Sequence, residues 1–152
     1  MREREGGVGL SWRGLGAGAL GTLALTAWEP LRDFLLGRAP VYSVRNIATR
    51  GARQWGVKLA PRTAQRWGLL MRWVYGPALG AIYAWVRSGL PPGARLRGVT
   101  LGAGVWCLEQ LSLPRLRVTS PPSTWSVAEH GLLALQVLLF GVVTEAVLTG
   151  LE

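Results

Sequence analysis

The residues of this sequence that could do chemistry are ionisable side chains inside or beside long apolar stretches: Glu29, Arg72, Glu109 and His130. A charge within an apolar span is costly, and it usually marks an ion pair, an ion pathway or a ligand site. At about 1.5 Å of rise per helical residue, all four side chains fall toward the same end of their stretches. We therefore predict one intramembrane polar cluster, with Arg72 and Glu109 as its ion pair.

This cluster has two interpretations. It could be a proton or small-ion relay, or the polar end of a ligand cavity; alternatively, it is a buried ion pair that fixes the register of the helices. The sequence favours the ion pair, because no line of Asp, Glu and His residues runs through a whole span. Glu129 is left out of the cluster, since Ser126 three residues earlier predicts a capping box at the start of a helix.

The sequence contains few residues that could catalyse a reaction or bind a metal. The chain of 152 residues contains one His and one Cys, Cys107. A single Cys excludes a disulfide framework and a Cys-based structural zinc site, and the sequence offers no pairing of a nucleophile with a base. We predict that the protein is not an enzyme, has no cofactor and holds no metal.

The composition narrows the class of protein further. Hydrophobic residues make up 49% of the chain and charged residues 16%, against about 25% charged residues in typical soluble domains. The formal net charge is +9 at pH 7, but the chain is too apolar for a disordered basic tail. Because the bases lie in connectors between apolar stretches, they indicate membrane topology, and we predict no nucleic-acid partner.

Four apolar stretches organise the chain. A membrane-spanning helix needs about 20 mostly apolar residues, and we place spans at about 8–29, 64–86, 96–114 and 127–150, with a basic connector at 30–63. The predicted fold class is therefore all-α: a four-helix transmembrane bundle that forms a single membrane domain over residues 1–152.

Two other structures fit parts of this pattern. A soluble protein with four buried helices is disfavoured, because stretches such as 15–28 and 132–144 lack the polar face that a soluble helix shows. A cleaved signal peptide at the first stretch is disfavoured by the acidic residues Glu3 and Glu5 in its first positions.

The pattern of the basic connector predicts an amphipathic helix over about 41–57. Its apolar side would include Val44 and Trp55, and its polar side Arg45, Arg50 and Arg53. Such a helix would lie on a membrane surface with these arginines against anionic lipid headgroups. A solvated connector without that role fits the same pattern.

Small residues at helical spacing predict where the spans pack, since lipid gives no hydrophobic drive between helices. The predicted packing residues are Gly14, Gly18, Gly21, Gly76, Gly80, Gly98 and Gly102. Ten basic residues lie on the side of the long connector and six on the other. The positive-inside tendency then places the connector in the cytoplasm and both termini outside.

Several short motifs carry a family resemblance. They lie at 14–21, 26–30, 73–76, 80–83, 102–106, 113–114 and 121–122, followed by the helix of His130. In this order they resemble the YagU-like family of bacterial inner-membrane proteins, with departures at Arg72, where relatives often have His, and at Arg115 and Arg117. The resemblance implies a four-helix inner-membrane protein linked to acid tolerance, with no catalytic residues to transfer.

Three functions follow as hypotheses. The first is a non-enzymatic structural or accessory protein of the bacterial inner membrane, multi-pass, acting in envelope or acid-stress tolerance. The second is a small transporter or proton-conducting protein that uses the intramembrane Glu and Arg residues. The third is a module that binds anionic lipid or a membrane-protein partner, with the bilayer itself, a second copy or another membrane protein as its partners.

Overall fold

The fold is all-helical throughout the part of the chain that the computed structural model describes, residues 2–90 and 93–151, with side chains from residue 11 onward except 94 and 95. The helices are α1 (Arg2–Leu36), α2 (Val44–Gln54), α3 (Pro61–Val86), α4 (Ala94–Arg115) and α5 (Val127–Gly150). Short 3-10 helices lie at Arg87–Gly89 and Pro122–Thr124. The all-α class is thus confirmed.

Local signals in the sequence set the ends of these helices. Pro61 occupies the first turn of α3, where its missing N–H costs nothing. Ser126 and Glu129 form the predicted capping box at the start of α5. The helix α1 continues through Pro30 to Leu36, beyond the predicted end near residue 29, and Gly37 with a φ of 65° follows it.

The long helices form a row in the order α3, α1, α5, α4, in which neighbours run antiparallel. The interfaces are α3 with α1, α1 with α5, and α5 with α4, while α2 packs on α3. No comparable interface joins α3 to α4 among the described residues. The two outer helices of the row therefore leave a gap between them.

Glycine faces bring the helix backbones together in two of these interfaces. A methyl group at Gly18 of α1 would lie 2.9 Å from the Cα of Pro77, and one at Gly102 of α4 would lie 2.7 Å from the Cα of Leu138. Neither glycine leaves room for a side chain, because its methyl group would overlap the backbone of the neighbouring helix. The two backbones are therefore in contact. Gly14, Gly80 and Gly98 lie in the same kind of backbone contact, whereas Gly21 and Gly76 face side chains, those of Phe140 and Thr144 and that of Thr22. Gly141, which is not among the predicted packing residues, faces Gly98.

Apolar side chains fill the space between α5 and its neighbours. Leu133, Val137 and Phe140 of α5 form the main buried cluster together with Val105 and Trp125. A second cluster near the other end joins α1, α3 and α5 and is built from Ala17, Tyr83, Ala84 and Leu148.

Hydropathy distinguishes α5 from the other long helices. Among the described helices, α5 is the one that is long and apolar enough to cross a membrane by length and composition. The sequence analysis expected four such helices. Glycines, tryptophans and arginines lower the hydropathy of α1, α3 and α4, so these helices do not meet the same measure.

A pair of glycines two residues apart on α4 tests the role of backbone contact. We expect Gly102→Ala to destabilise the protein by about 1–3 kcal/mol, because the new methyl group overlaps Leu138. Gly104 faces open space, so Gly104→Ala should be neutral or stabilise by up to about 1 kcal/mol. Thermal or denaturant unfolding in a bilayer mimetic measures both; equal effects would contradict the packing.

Candidate functional site

The gap between α3 and α4 forms a cavity of about 320 Å³. This volume lies in the range of small-molecule sites, which are about 300–1,000 Å³. Most of its wall is apolar, contributed by Leu25, Met71, Leu79, Val105, Leu133 and Phe140. The row of four helices therefore borders a partly open space suited to an aliphatic group.

The amphipathic helix α2 closes one end of this cavity. Val44 and Ile47 of α2 line the cavity, and a methyl group at Gly68 of α3 would lie 2.6 Å from the carbonyl carbon of Val44. Gln54 donates from Nε2 to the carbonyl of Leu116, just after α4, over 2.8 Å. Because α2 reaches from α3 to the end of α4, it bridges the gap that these helices leave; we call this the connector end of the bundle.

Arg32 organises a buried polar cluster at the connector end. Its side chain is 1% exposed. It donates from Nη1 to Gln136 over 2.7 Å, and from Nε and Nη2 to Asp33 over 2.9 and 2.7 Å. Its Nη2 also lies 3.3 Å from Glu29, and its guanidinium carbon is 5.7 Å from the centre of the Tyr42 ring. The sequence analysis missed Arg32 because it was read as a connector base.

Arg72 forms its ion pair with Glu29, at 2.9 Å between Nη1 and Oε1. The predicted Arg72–Glu109 pair is therefore wrong. The reason is the order of the helices: α3 packs directly against α1, which carries Glu29, whereas the cavity separates α3 from α4, which carries Glu109.

Glu109 lines the cavity without a bonded neighbour. Arg72 and Tyr75 line the same cavity. Among the described side chains, however, no hydrogen bond or ion pair reaches the Glu109 carboxylate. A carboxylate in a mostly apolar space is costly unless it is neutralised or hydrogen-bonded, so Glu109 is a candidate partner for a ligand that could neutralise it.

His130 lies outside the predicted cluster, which corrects the fourth member of that prediction. Its Nδ1 is 3.1 Å from the carbonyl oxygen of Ser126, and its ring centre is 5.4 Å from that of Trp125. It stands in the first turn of α5, beside the loop, and these local contacts occupy it.

Glu129 does more than cap α5, because it also bonds to residues of the connector. Besides its capping bonds with Ser126, it accepts from the backbone N–H of Val41 over 3.3 Å and pairs with Arg38 at 3.0 Å. Its carbonyl accepts from the Tyr42 hydroxyl over 3.0 Å, and burial raises the pKa of Tyr42 above its ordinary value. These bonds tie the connector to α5.

A second buried network lies at the opposite end of the bundle, and the sequence analysis missed it. Arg87 donates from Nε and Nη2 to the two carboxylate oxygens of Glu145, over 2.8 and 2.9 Å. Tyr83 donates to Glu145 over 2.7 Å, and Arg87 also donates to Thr149 over 3.0 Å. The sequence contained a signal for this network, because Arg87 directly follows the second predicted span and therefore falls at the same depth as Glu145.

The polar face of α2 points outward. Arg45, Arg50 and Arg53 are exposed, while Val44 and Ala48 are buried. Trp55, expected on the buried side, is 87% exposed. The helix ends at Gln54, and Trp55 is its C-cap residue, so it no longer follows the helical face.

Lysine substitutions at Arg32 and Arg72 keep the positive charge of the cluster and test its bonding geometry. Arg32→Lys should lower the free energy of unfolding by more than about 2 kcal/mol, because an ammonium cannot reproduce the bonds to Asp33, Gln136 and Glu29. Arg72→Lys should cost about 1 kcal/mol or less, since one ion pair is retained. Denaturant unfolding of both variants measures these losses in stability. A larger loss for Arg72→Lys than for Arg32→Lys would contradict the geometry.

The network at the opposite end supports a double-variant test. Glu145→Leu should cost about 3–5 kcal/mol, because the buried Arg87 guanidinium loses its carboxylate. Adding Arg87→Met should recover much of that loss, since an apolar pair of similar size needs no counter-charge. Unfolding measurements on the wild type, both single variants and the double variant give the coupling; purely additive effects would contradict the pairing.

Comparisons with known proteins identify no relative for this arrangement. Within the described residues there is no group of three or more His, Cys, Asp or Glu side chains that could hold a metal ion. No protein-family model, curated protein or solved structure matches the chain.

Proposed function

We propose that this protein is a non-enzymatic, four-span integral protein of the bacterial inner membrane, with a structural or accessory role. In this proposal α1, α3, α4 and α5 all cross the bilayer, and α2 lies at the cytoplasmic interface. The observation that carries it is the distribution of large apolar side chains over the outer surface of all four long helices.

Each of the four long helices contributes large apolar side chains to the exposed surface. Examples are Leu23 of α1 (52% exposed), Val74 and Ile82 of α3 (65% and 62%), Leu111 of α4 (56%) and Leu135 of α5 (49%). Soluble monomers rarely expose apolar patches larger than a few hundred Å². Lipid is the environment in which such helices keep their outer surface covered.

Internal polarity fits the same environment. Arg32, Glu129 and Glu145 are each 1% exposed, and each has a charged partner. Ionisable residues of membrane helices face the inside of the bundle and pair there. The inside-out arrangement, polar within and apolar outside, therefore supports the proposal for helices whose mean hydropathy alone is modest.

The charge distribution suggests the orientation. Exposed bases gather at the connector end, namely Arg38, Arg45, Arg50, Arg53, Lys58, Arg62, Arg66, Arg115 and Arg117. Short loops rich in Lys and Arg stay in the cytoplasm, so the proposal places this end inside. The exposed arginines of α2 and Trp55 would then meet anionic headgroups and the interface, which favours headgroup binding as a second, accessory function.

The resemblance to YagU-like proteins points in the same direction. It adds a role in envelope or acid-stress tolerance to the proposal, together with a membrane-protein partner or a second copy as candidate partners. No residue carries an enzymatic reaction in this proposal, and no metal or cofactor takes part in it.

Cysteine labelling at two loops tests the number of spans. In a Cys107→Ser background, one cysteine replaces Ser88, just after α3, and in a second variant one replaces Ser123, between α4 and α5. Both serines are exposed. Four spans place them on opposite sides, so a membrane-impermeant maleimide should label position 88 in intact cells and position 123 only after lysis.

The alternatives give other patterns. If α5 alone crossed the membrane, both positions would share one side and react alike. The inverse pattern, with position 123 labelled first, would keep four spans and overturn the orientation. Recovery of the unlabelled protein in the supernatant after membrane fractionation would contradict the membrane proposal itself.

A further inference from the structure

The cavity between α3 and α4 has, at its polar end, a carboxylate without a bonded neighbour in the described part of the chain. The buried cluster contains two guanidinium groups: Arg32 is hydrogen-bonded to Gln136 and to the partly exposed Asp33, and Arg72 is ion-paired with Glu29. Glu109 adds a further carboxylate that faces the same space. Each guanidinium thus has a carboxylate partner other than Glu109, whose own carboxylate has no bonded neighbour among the described side chains.

The remaining wall defines what could neutralise Glu109. Leu79, Val105 and Phe140 present hydrocarbon to the cavity, and two hydroxyl-bearing residues, Tyr75 of α3 and Ser112 of α4, also line it. A hydrated metal ion would leave the hydrocarbon part unfilled. A molecule with an aliphatic body and one cationic, hydrogen-bond-donating group matches both parts.

We propose that this cavity binds an aliphatic primary amine, with its ammonium group at Glu109 and its chain along the apolar wall between α3 and α4. The ammonium would place a positive charge beside the Glu109 carboxylate and donate to it, while the chain replaces empty apolar space. The proposal adds a ligand to the membrane bundle proposed above, and it rests on that bundle only for the route by which the chain enters from the bilayer.

Photo-crosslinking on the intact protein tests the proposal. The full chain is placed in nanodiscs of phosphatidylcholine and phosphatidylglycerol, which carry no primary amine, and is exposed to an alkylamine that bears a diazirine in its chain. We expect saturable labelling of residues that line the cavity. Octylamine should compete for this labelling, octanol should compete on the order of tenfold less well, and octanoate should not compete.

Matched variants test the charge of Glu109 and the free space of the cavity separately. Glu109→Gln should weaken labelling on the order of tenfold, because the amide keeps the shape and loses the charge. Met71 lines the cavity and Leu70 does not, and both are about half exposed, at 50% and 53%. Met71→Trp should therefore reduce labelling, while Leu70→Trp should leave it at the wild-type level.

Defined results would overturn the proposal. Equal labelling of the wild type and a folded Glu109→Gln variant would do so, as would octanol that competes as well as octylamine, or labels confined to the outer surface. If Glu109→Gln fails to fold, the competition by octylamine, octanol and octanoate in the wild type is sufficient to test the proposal. Competition by added phosphatidylethanolamine would identify an amine-bearing lipid as the source, and its absence a free amine. The loop labelling described above is independent, so failure of the ligand leaves the span number untouched.

Discussion

Direct contact between helix backbones is the interaction on which the rest of the structure depends. Gly14 and Gly18 bring α1 against α3, and Gly98, Gly102 and Gly141 bring α4 against α5. Where glycine faces meet, no side chain occupies the interface, so dispersion contacts between backbones hold the helices together. The larger apolar side chains are left for the centre of the row and for its outer surface. In the proposed environment a bilayer would cover that outer surface, which links the packing to the proposal.

The same packing creates the cavity and places its charges. Since α1 and α5 form the middle of the row, α3 and α4 stand apart, and Glu109 on α4 faces a space rather than Arg72 on α3. Each end of the bundle then has its own buried network, centred on Arg32 at the connector end and on Glu145 at the other. These networks join the ends of neighbouring helices, and the cavity beside the first of them retains an unpaired carboxylate.

Much of the fold could be predicted from the sequence, because its signals are local. Helical periodicity, the capping residues Ser126 and Glu129, and the glycine spacing depend on a few neighbouring positions. Which helices touch is not a local property. The Arg72–Glu109 pair was therefore predicted from the positions of the two residues along and around their own helices, whereas the order of the helices gives Arg72 to Glu29. Arg32 and Arg87 were missed for a related reason: each lies near a helix end, where the sequence does not show whether a base turns inward or toward solvent.

The native thiol of Cys107 allows the most direct measurement of the central claim, that the outer surface of the glycine-packed bundle faces lipid. Cys107 is exposed on α4, a helix that does not meet the hydropathy measure for a span. A nitroxide attached there, in vesicles, reports its collisions with molecular oxygen, which concentrates in lipid, and with a water-soluble nickel complex. The account predicts frequent collisions with oxygen and rare collisions with nickel, compared with a label at position 123 in a Cys107→Ser background. Collisions with nickel as frequent as those at position 123 would place α4 in water and contradict the account.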